Sequence, residues 1–283
     1  MSDETKVAVL GAGTMGHGIA QVCAASGYRV SVSDPTAAAL EKGERGVRDS
    51  LDRMVAKGKI DGATREAVLG RIAWGTELAT AVEGAGVVIE AVPEKMELKR
   101  ELLLRVDGLA PPNALLASNT SSLSITELAS TLREPARLVG LHFFNPVPVM
   151  ELLEIVRGIR TTDATVDQAL AFAARVGKTP IVVRDIPGFA TSRLGVALGA
   201  EAIRMLEQGV ASAEDIDRAM ELGYRHPMGP LKLTDLVGLD VRLAILDHLH
   251  RELGEQFRAP ALLRQMVRAG KLGKKSGEGF YKW

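Results

Sequence analysis

A short apolar run, Lys6–Leu10, meets the turn Gly11-Ala12-Gly13-Thr14-Met15-Gly16 and then a helical stretch, His17–Ser26, that Gly27 ends. Few local patterns constrain a fold as tightly. Glycines at this spacing suit a tight strand-to-helix turn, a close approach of the backbone to a pyrophosphate, and the packing of helix on strand, while the helix amino terminus turns unpaired N–H groups toward the anion. A second apolar run, Tyr28–Ser33, ends in Asp34, eighteen residues after Gly16. A carboxylate in that place accepts hydrogen bonds from an adenosine ribose and repels a ribose 2′-phosphate, so the dinucleotide expected is NAD. The alternative reading of the motif alone is a tight α/β turn that holds no nucleotide.

Composition narrows the class. The 283 residues are enough for one large or two ordinary domains, and with 35 Lys+Arg against 35 Asp+Glu there is no net field to attract nucleic acid or an anionic membrane. A single cysteine, Cys23, excludes a disulfide framework or a cysteine-rich zinc site within the chain. No run is long enough to span a bilayer, and the acidic start MSDETKVAVLGAG passes straight into a strand, so a cytoplasmic protein without a secretory signal is expected.

The chemistry is expected in residues 114–154. There an apolar run, Ala114–Ala117, ends in the hydroxyl- and amide-rich tract Ser118–Ser122, and another, Leu138–Leu141, ends in His142. Open parallel sheets bind ligands at such strand ends. Pro146 and Pro148 forbid a helix after His142, so the chain can double back and bring Glu154 beside the imidazole. A histidine held by a carboxylate near a serine is an oriented general base. Ser121, with Thr120, Ser122 and Ser124, can equally cap the next helix. A hydrolase triad is not favoured, because Ser121 lacks a glycine-flanked nucleophile elbow.

Residues 36–71 carry helical patterns whose charged face includes Arg45, Arg48, Arg53, Lys57 and Lys59, read either as a solvated face or as a landing site for a phosphorylated substrate. Gly86–Val92 is an apolar strand interrupted by Glu90 and leads through Glu94 to a helix over Lys95–Leu109. Glu94 and Lys99 are then candidates for the nicotinamide half, or else a first-turn acid and a surface lysine. A helix over Thr165–Val176 and a strand over Pro180–Arg184 precede the Pro187-Gly188 pair. The domain boundary is expected near that pair, giving a Rossmann-type α/β domain at 1–186 and an all-α domain at 187–283. Helices are expected at about 189–208, 212–222, 231–253 and 259–269, a bundle with apolar surface to share with a second subunit. His248 and His250, two apart on one helix, face apart, and no zinc spacing occurs elsewhere, so no metal is expected.

SNTSSLSI, GLHFFNPVPVMELLE and DIPGFATSR together resemble the 3-hydroxyacyl-CoA dehydrogenase family, close to its stand-alone bacterial 3-hydroxybutyryl-CoA members, and the similarity runs from GAGTMG to GEGFYKW. The resemblance implies NAD-dependent oxidation of a short-chain L-3-hydroxyacyl-CoA, with His142 as general base and Glu154 as its orienting carboxylate. It implies contacts of Ser121 and Asn145 with substrate and nicotinamide, and of Ser50 and Lys57 with the CoA moiety. Gly11, Gly13, Thr14, Met15, Gly16, Asp34, Glu94, Lys99 and Asn119 form the expected cofactor set, and a homodimer through the carboxyl-terminal helices is expected. No hydratase module precedes the amino terminus, so the fused multifunctional form is not expected. One departure stands out: where the family usually reads PGF-x-x-N-R, this chain has Ser192, expected either to contact substrate or to cap a helix. The rival readings are a sister sugar-acid dehydrogenase of gulonate type and a non-catalytic, crystallin-like NAD-binding protein.

Overall fold

The computed structural model of the chain describes residues 5–283, in two compact units that divide between Asp185 and Ile186. The first unit holds β1 (Lys6–Leu10), β2 (Arg29–Ser33), β3 (Ile72–Gly75), β4 (Ala85–Glu90), β5 (Leu115–Ser118), β6 (Leu138–Phe143), β7 (Leu152–Arg157) and β8 (Thr179–Arg184). They make one sheet in the order β3-β2-β1-β4-β5-β6-β7-β8. The first six in that order pair parallel, β7 turns back antiparallel against β6, and β8 runs parallel to β7. Strand order reverses direction at β1, with β2 on one side and β4 on the other, and the crevice at such a switch point is where nucleotides bind.

The helices of this unit are α1 (Thr14–Ala25), α2 (Ala37–Ala56), α3 (Gly62–Leu69), α4 (Leu78–Val82), α5 (Met96–Leu109), α6 (Ile125–Ala129) and α7 (Asp163–Arg175). Val7, Ala8 and Val9 of β1 and Val87, Val88 and Ile89 of β4 are all buried, so these strands read as continuous apolar runs because both faces are covered. Val9, Ile89, Ala117 and Leu141 pack with Ile19 and Cys23 of α1 and with Phe172 of α7, whose ring lies 5.8 Å from that of Tyr28. Each such side chain contributes about 1.5–3 kcal/mol by leaving water. Leu103 and Val106 of α5, with Ile125 and Leu128 of α6, add a further buried set. β8 closes the sheet as an edge, with Ile181 and Val182 exposed.

The second unit is α8 (Thr191–Glu207), α9 (Ala213–Arg218), α10 (Pro230–Val237), α11 (Leu239–Leu253) and α12 (Ala261–Arg268). Val196, Ile203, Leu231, Leu239, Leu246, Leu249 and Leu263 form its own core. The single helix expected over 231–253 is two, broken at Gly238, whose φ of 106° no right-handed helix accepts. Apolar periodicity continues through the break, so spacing alone reads across it. The helix expected over 212–222 shortens to α9, followed by a single π-helical turn at Ala219–Gly223. Asp235, fully buried, ties down the chain end by accepting from the N–H groups of Phe280 and Tyr281 and from the Trp283 indole.

Candidate active site

The glycine turn is shaped by what has no room for a side chain. A Cβ on Gly16 would lie 1.8 Å from the Gly11 carbonyl oxygen, and Gly11, at φ 105°, would bring one to 2.8 Å from the Ala91 oxygen. Gly13 differs: a Cβ there would meet nothing within 4 Å, so the space above it belongs to no protein atom. Gly13 caps α1 without a side-chain acceptor, the first turn of α1 carries no acid, and Thr14, like Gly13, is exposed. The N–H groups of that turn are left for an anion, which suits a pyrophosphate. Met15 packs against the core instead. The imidazole of His17, also on α1, binds back to the Gly13 carbonyl at 2.9 Å. Asp34 is held by the turn itself, its Oδ2 accepting from Ala12 N–H and its Oδ1 from Thr36 N–H, both at 3.0 Å. Beside it a cavity at the strand ends is lined by Leu10, Pro35, Leu78, Val92 and Leu98, with Glu101 and Arg105 of α5 at its edge. An apolar slot in that position fits an adenine ring.

His142 lies inside β6 rather than just beyond it, directly opposite Glu154 in the antiparallel register. Its Nδ1 is 2.6 Å from Glu154 Oε2, Glu154 is fully buried, and the imidazole is 7% exposed. A carboxylate accepts only, so Nδ1 carries the proton in this pair and Nε2 is left as the basic nitrogen. The Phe144 ring, 4.4 Å from the imidazole centroid, packs beside it. The segment between the strands contains a cis Asn145–Pro146 bond, and Asn145 is exposed on it. Lys178, buried, donates to the carbonyls of Val147 at 2.6 Å and Met150 at 2.7 Å and so fixes this turn.

A polar network at the ends of β4 and β5 organises the serine tract. Lys99 is not a surface lysine. It is fully buried, and its ammonium donates to Glu90 Oε1 at 2.7 Å and to the Val92 carbonyl at 3.1 Å, with Glu94 Oε2 at 3.3 Å. Three donors therefore have three acceptors. Glu90, also fully buried, further accepts from Ser118 Oγ and Val92 N–H. Burial pushes the Glu90 carboxyl up, against the pull of Lys99 and these donors. Glu94 Oε1 gathers Thr120 Oγ1 at 2.6 Å, Ser121 N–H at 2.8 Å and Ser121 Oγ at 3.2 Å. Burial opposes its ionisation too, but the Lys99 charge and the Thr120 and Ser121 donors outweigh it and hold Glu94 below the ordinary value.

Ser124, not Ser121, caps α6, accepting from Glu127 N–H, which leaves Ser121 out of the capping role. Asn119 uses its carbonyl oxygen to accept from Phe143 N–H at 2.9 Å and so ties β5 to β6 beside the base. Ser50 and Lys57 sit two turns apart on α2, Ser50 half-buried and Lys57 exposed at the helix end. Ser192 is the second residue of α8, whose cap position is Ala190 with no side-chain cap, so the capping reading of Ser192 fails. Glu90, Ser118 and Lys178 were not singled out in the sequence; the one signal was a glutamate inside the apolar run VVIEAV.

Known proteins resemble the chain along its whole length. Residues 6–186 match the NAD-binding domain of 3-hydroxyacyl-CoA dehydrogenase and residues 188–283 its carboxyl-terminal domain. A 3-hydroxybutyryl-CoA dehydrogenase of Clostridioides difficile is 42% identical, with 98% of each chain covered, and the human mitochondrial hydroxyacyl-coenzyme A dehydrogenase is 43% identical over 98% of this chain and 90% of its own length. The crystal structure of (S)-3-hydroxybutyryl-CoA dehydrogenase from Ralstonia eutropha superposes with a TM-score of 0.95 at 43% identity, covering 99% of both chains. The chain belongs to the 3-hydroxyacyl-CoA dehydrogenase family of NAD-dependent oxidoreductases.

Proposed function

We propose that this chain oxidises a short-chain L-3-hydroxyacyl-CoA to the 3-ketoacyl-CoA, reversibly, with His142 as the general base and Glu154 as the group that orients it. The observation that carries the assignment is the 2.6 Å contact between His142 Nδ1 and a fully buried Glu154. Nε2 takes the proton of the 3-hydroxyl, and Glu154 stabilises the imidazolium that results; in the reverse direction the imidazolium returns the proton. Bound NAD supplies the hydride acceptor. Ser121, held by Glu94, and Asn145, on the turn fixed by Lys178, hold the substrate oxygen in place. Ser50 and Lys57 hold the CoA moiety, Lys57 as a point charge for phosphate. Ser192, on the helical unit, has a hydroxyl with one donor in the place where the family pattern it resembles carries an amide with two.

A homodimer through the helical unit is part of the same reading, supported by Leu194, Leu222 and Tyr224, each more than 70% exposed. Among the described residues no helix is long and apolar enough to cross a membrane, and a cytoplasmic setting fits a lone, buried Cys23. The deciding experiment is initial rates with NAD across L-3-hydroxyacyl-CoAs of increasing length, with free hydroxy acids and sugar acids as controls. Short acyl-CoAs should turn over fastest and the free acids not at all. His142→Ala and Glu154→Gln should each lower turnover by roughly 10²–10⁴-fold with NADH affinity kept, as expected when an oriented base is lost. Near-wild-type turnover in either variant removes that residue from the mechanism.

A further inference from the structure

The helical unit buries three charged side chains, and one of them is unanswered. Asp235 is spent on the chain end, and Asp217 accepts from Leu231 N–H, Lys232 N–H and the Tyr281 hydroxyl. Arg242 is 8% exposed, yet its side chain has no hydrogen bond or ion pair among the described residues, and its Nε is sealed from solvent without a partner. Asp240, two residues before it, is taken by Lys275 at 2.6 Å. Burial alone pulls the guanidinium pKa down, with no acid pulling it back, although an arginine stays protonated all the same.

The surroundings add positive charge instead of cancelling it. Arg242 sits in the first turns of α11, and its Nη1 lies 3.2 Å from where a Cβ on Gly195 would be, in the second turn of α8. Arg242 is the fourth residue of α11 and Gly195 the fifth of α8, so the contact lies near the positive, amino-terminal part of each helix. Neither has a side-chain cap; α8 has no acid in its first turn, and the one acid in that of α11, Asp240, is paired with Lys275. The approach depends on glycine: Gly195 admits the guanidinium, and Gly199, one turn on, admits Thr234 of α10, 3.1 Å from where its Cβ would lie. A desolvated cation near two helix amino termini, where the one acid, Asp240, is already paired with Lys275, is a site completed by an anion.

We propose that Arg242, in the first turns of α11 and against the second turn of α8, is an oxyanion-binding residue that takes a carboxylate or phosphate group of a ligand. Titration of the intact chain with inorganic phosphate and with glutarate, followed by calorimetry and by melting temperature at fixed ionic strength, tests it. Wild type should bind at least one of them. Arg242→Met should bind it roughly 10- to 100-fold more weakly, the worth of a charge-assisted hydrogen bond. It should melt no lower than wild type in chloride, because an apolar side chain replaces a charge that had no partner. Arg242→Lys should keep part of the affinity, and Gly195→Ala, which crowds Nη1, should lose affinity with the charge intact. The difference between variants is the readout, since phosphate stabilises folded proteins generally.

Two kinetic arms locate the source of the anion and rest on the acyl-CoA reading; the titrations do not. A preference for a carboxylate-ended over a methyl-ended 3-hydroxyacyl-CoA of equal length, abolished in R242M, assigns the group to the acyl chain. A preference for CoA over dephospho-CoA thioesters, abolished in the same way, assigns it to the 3′-phosphate. Binding of the free anion with neither preference leaves a site for a free anion. Wild type that binds neither probe overturns the proposal, as does R242M that binds as tightly as wild type or melts well below it in chloride.

Discussion

Asp34 and Glu94 are single carboxylates that each gather two or more donors of the chain. Both oxygens of Asp34 already accept from backbone N–H groups, one of them in the glycine turn. Asp34→Ala should therefore weaken NAD binding twice over, by removing the ribose acceptor and by loosening the turn, and should narrow the preference for NAD over NADP. Cofactor titrations of wild type and variant check it, and a wild type that uses NADPH as readily as NADH contradicts the placement of Asp34 at the ribose. Glu94, held below its ordinary value of 4.5, is a lowered acid, so it stabilises the fold above that value, and the contribution is lost as pH falls through the depressed folded value. Glu94→Gln should flatten that part of the acid limb of stability, measured as urea midpoint against pH. A variant whose acid limb superimposes on that of wild type contradicts the role given to Glu94.

Among the elements, the β1–α1 junction is the least forgiving. Gly16→Ala would set a Cβ 1.8 Å from the Gly11 oxygen, backbone against backbone, and neither helix nor strand can give way without leaving its packing. The expected cost is about 3 kcal/mol or more, at the upper end for overpacking. Chemical denaturation checks it, and a loss under about 1 kcal/mol would mean that α1 shifts freely.

This junction was also the most legible element, since strand, glycine turn, helix and acid each leave a local mark. His142 and Glu154 were legible as a pair through the prolines between them, but not as partners in a ladder. Leu152–Arg157 carries its glutamate in a buried row, and a charged residue argues against a strand until its partner is known. Ile72–Gly75 is too short to show a period. Lys99 looks like any helical lysine, because only the fold brings Glu90 and Glu94 to it from the end of β4. Gly238 hid among apolar positions that stay in phase on both sides of it.

At the scale of the whole molecule, the homodimer proposed through the helical unit has a direct test. Leu194, Leu222 and Tyr224 are each more than 70% exposed and supply the apolar surface that such a contact would cover. Sedimentation should return twice the 30.2 kDa chain mass, and Leu222→Glu or Tyr224→Glu should shift the population toward the single chain. A monomeric wild type at micromolar concentration would refute the homodimer. The reversal of β7 against β6 bears on how such chains can diverge. Base and acid face each other across a ladder, so what fixes their distance is strand pairing and not the length of chain between them. The bend between the strands is held separately, by Lys178 on the Val147 and Met150 carbonyls. A single residue inserted within either strand before the pair moves one partner to the opposite side of the sheet. A fixed count of residues is thus imposed on the two strands up to the pair they carry.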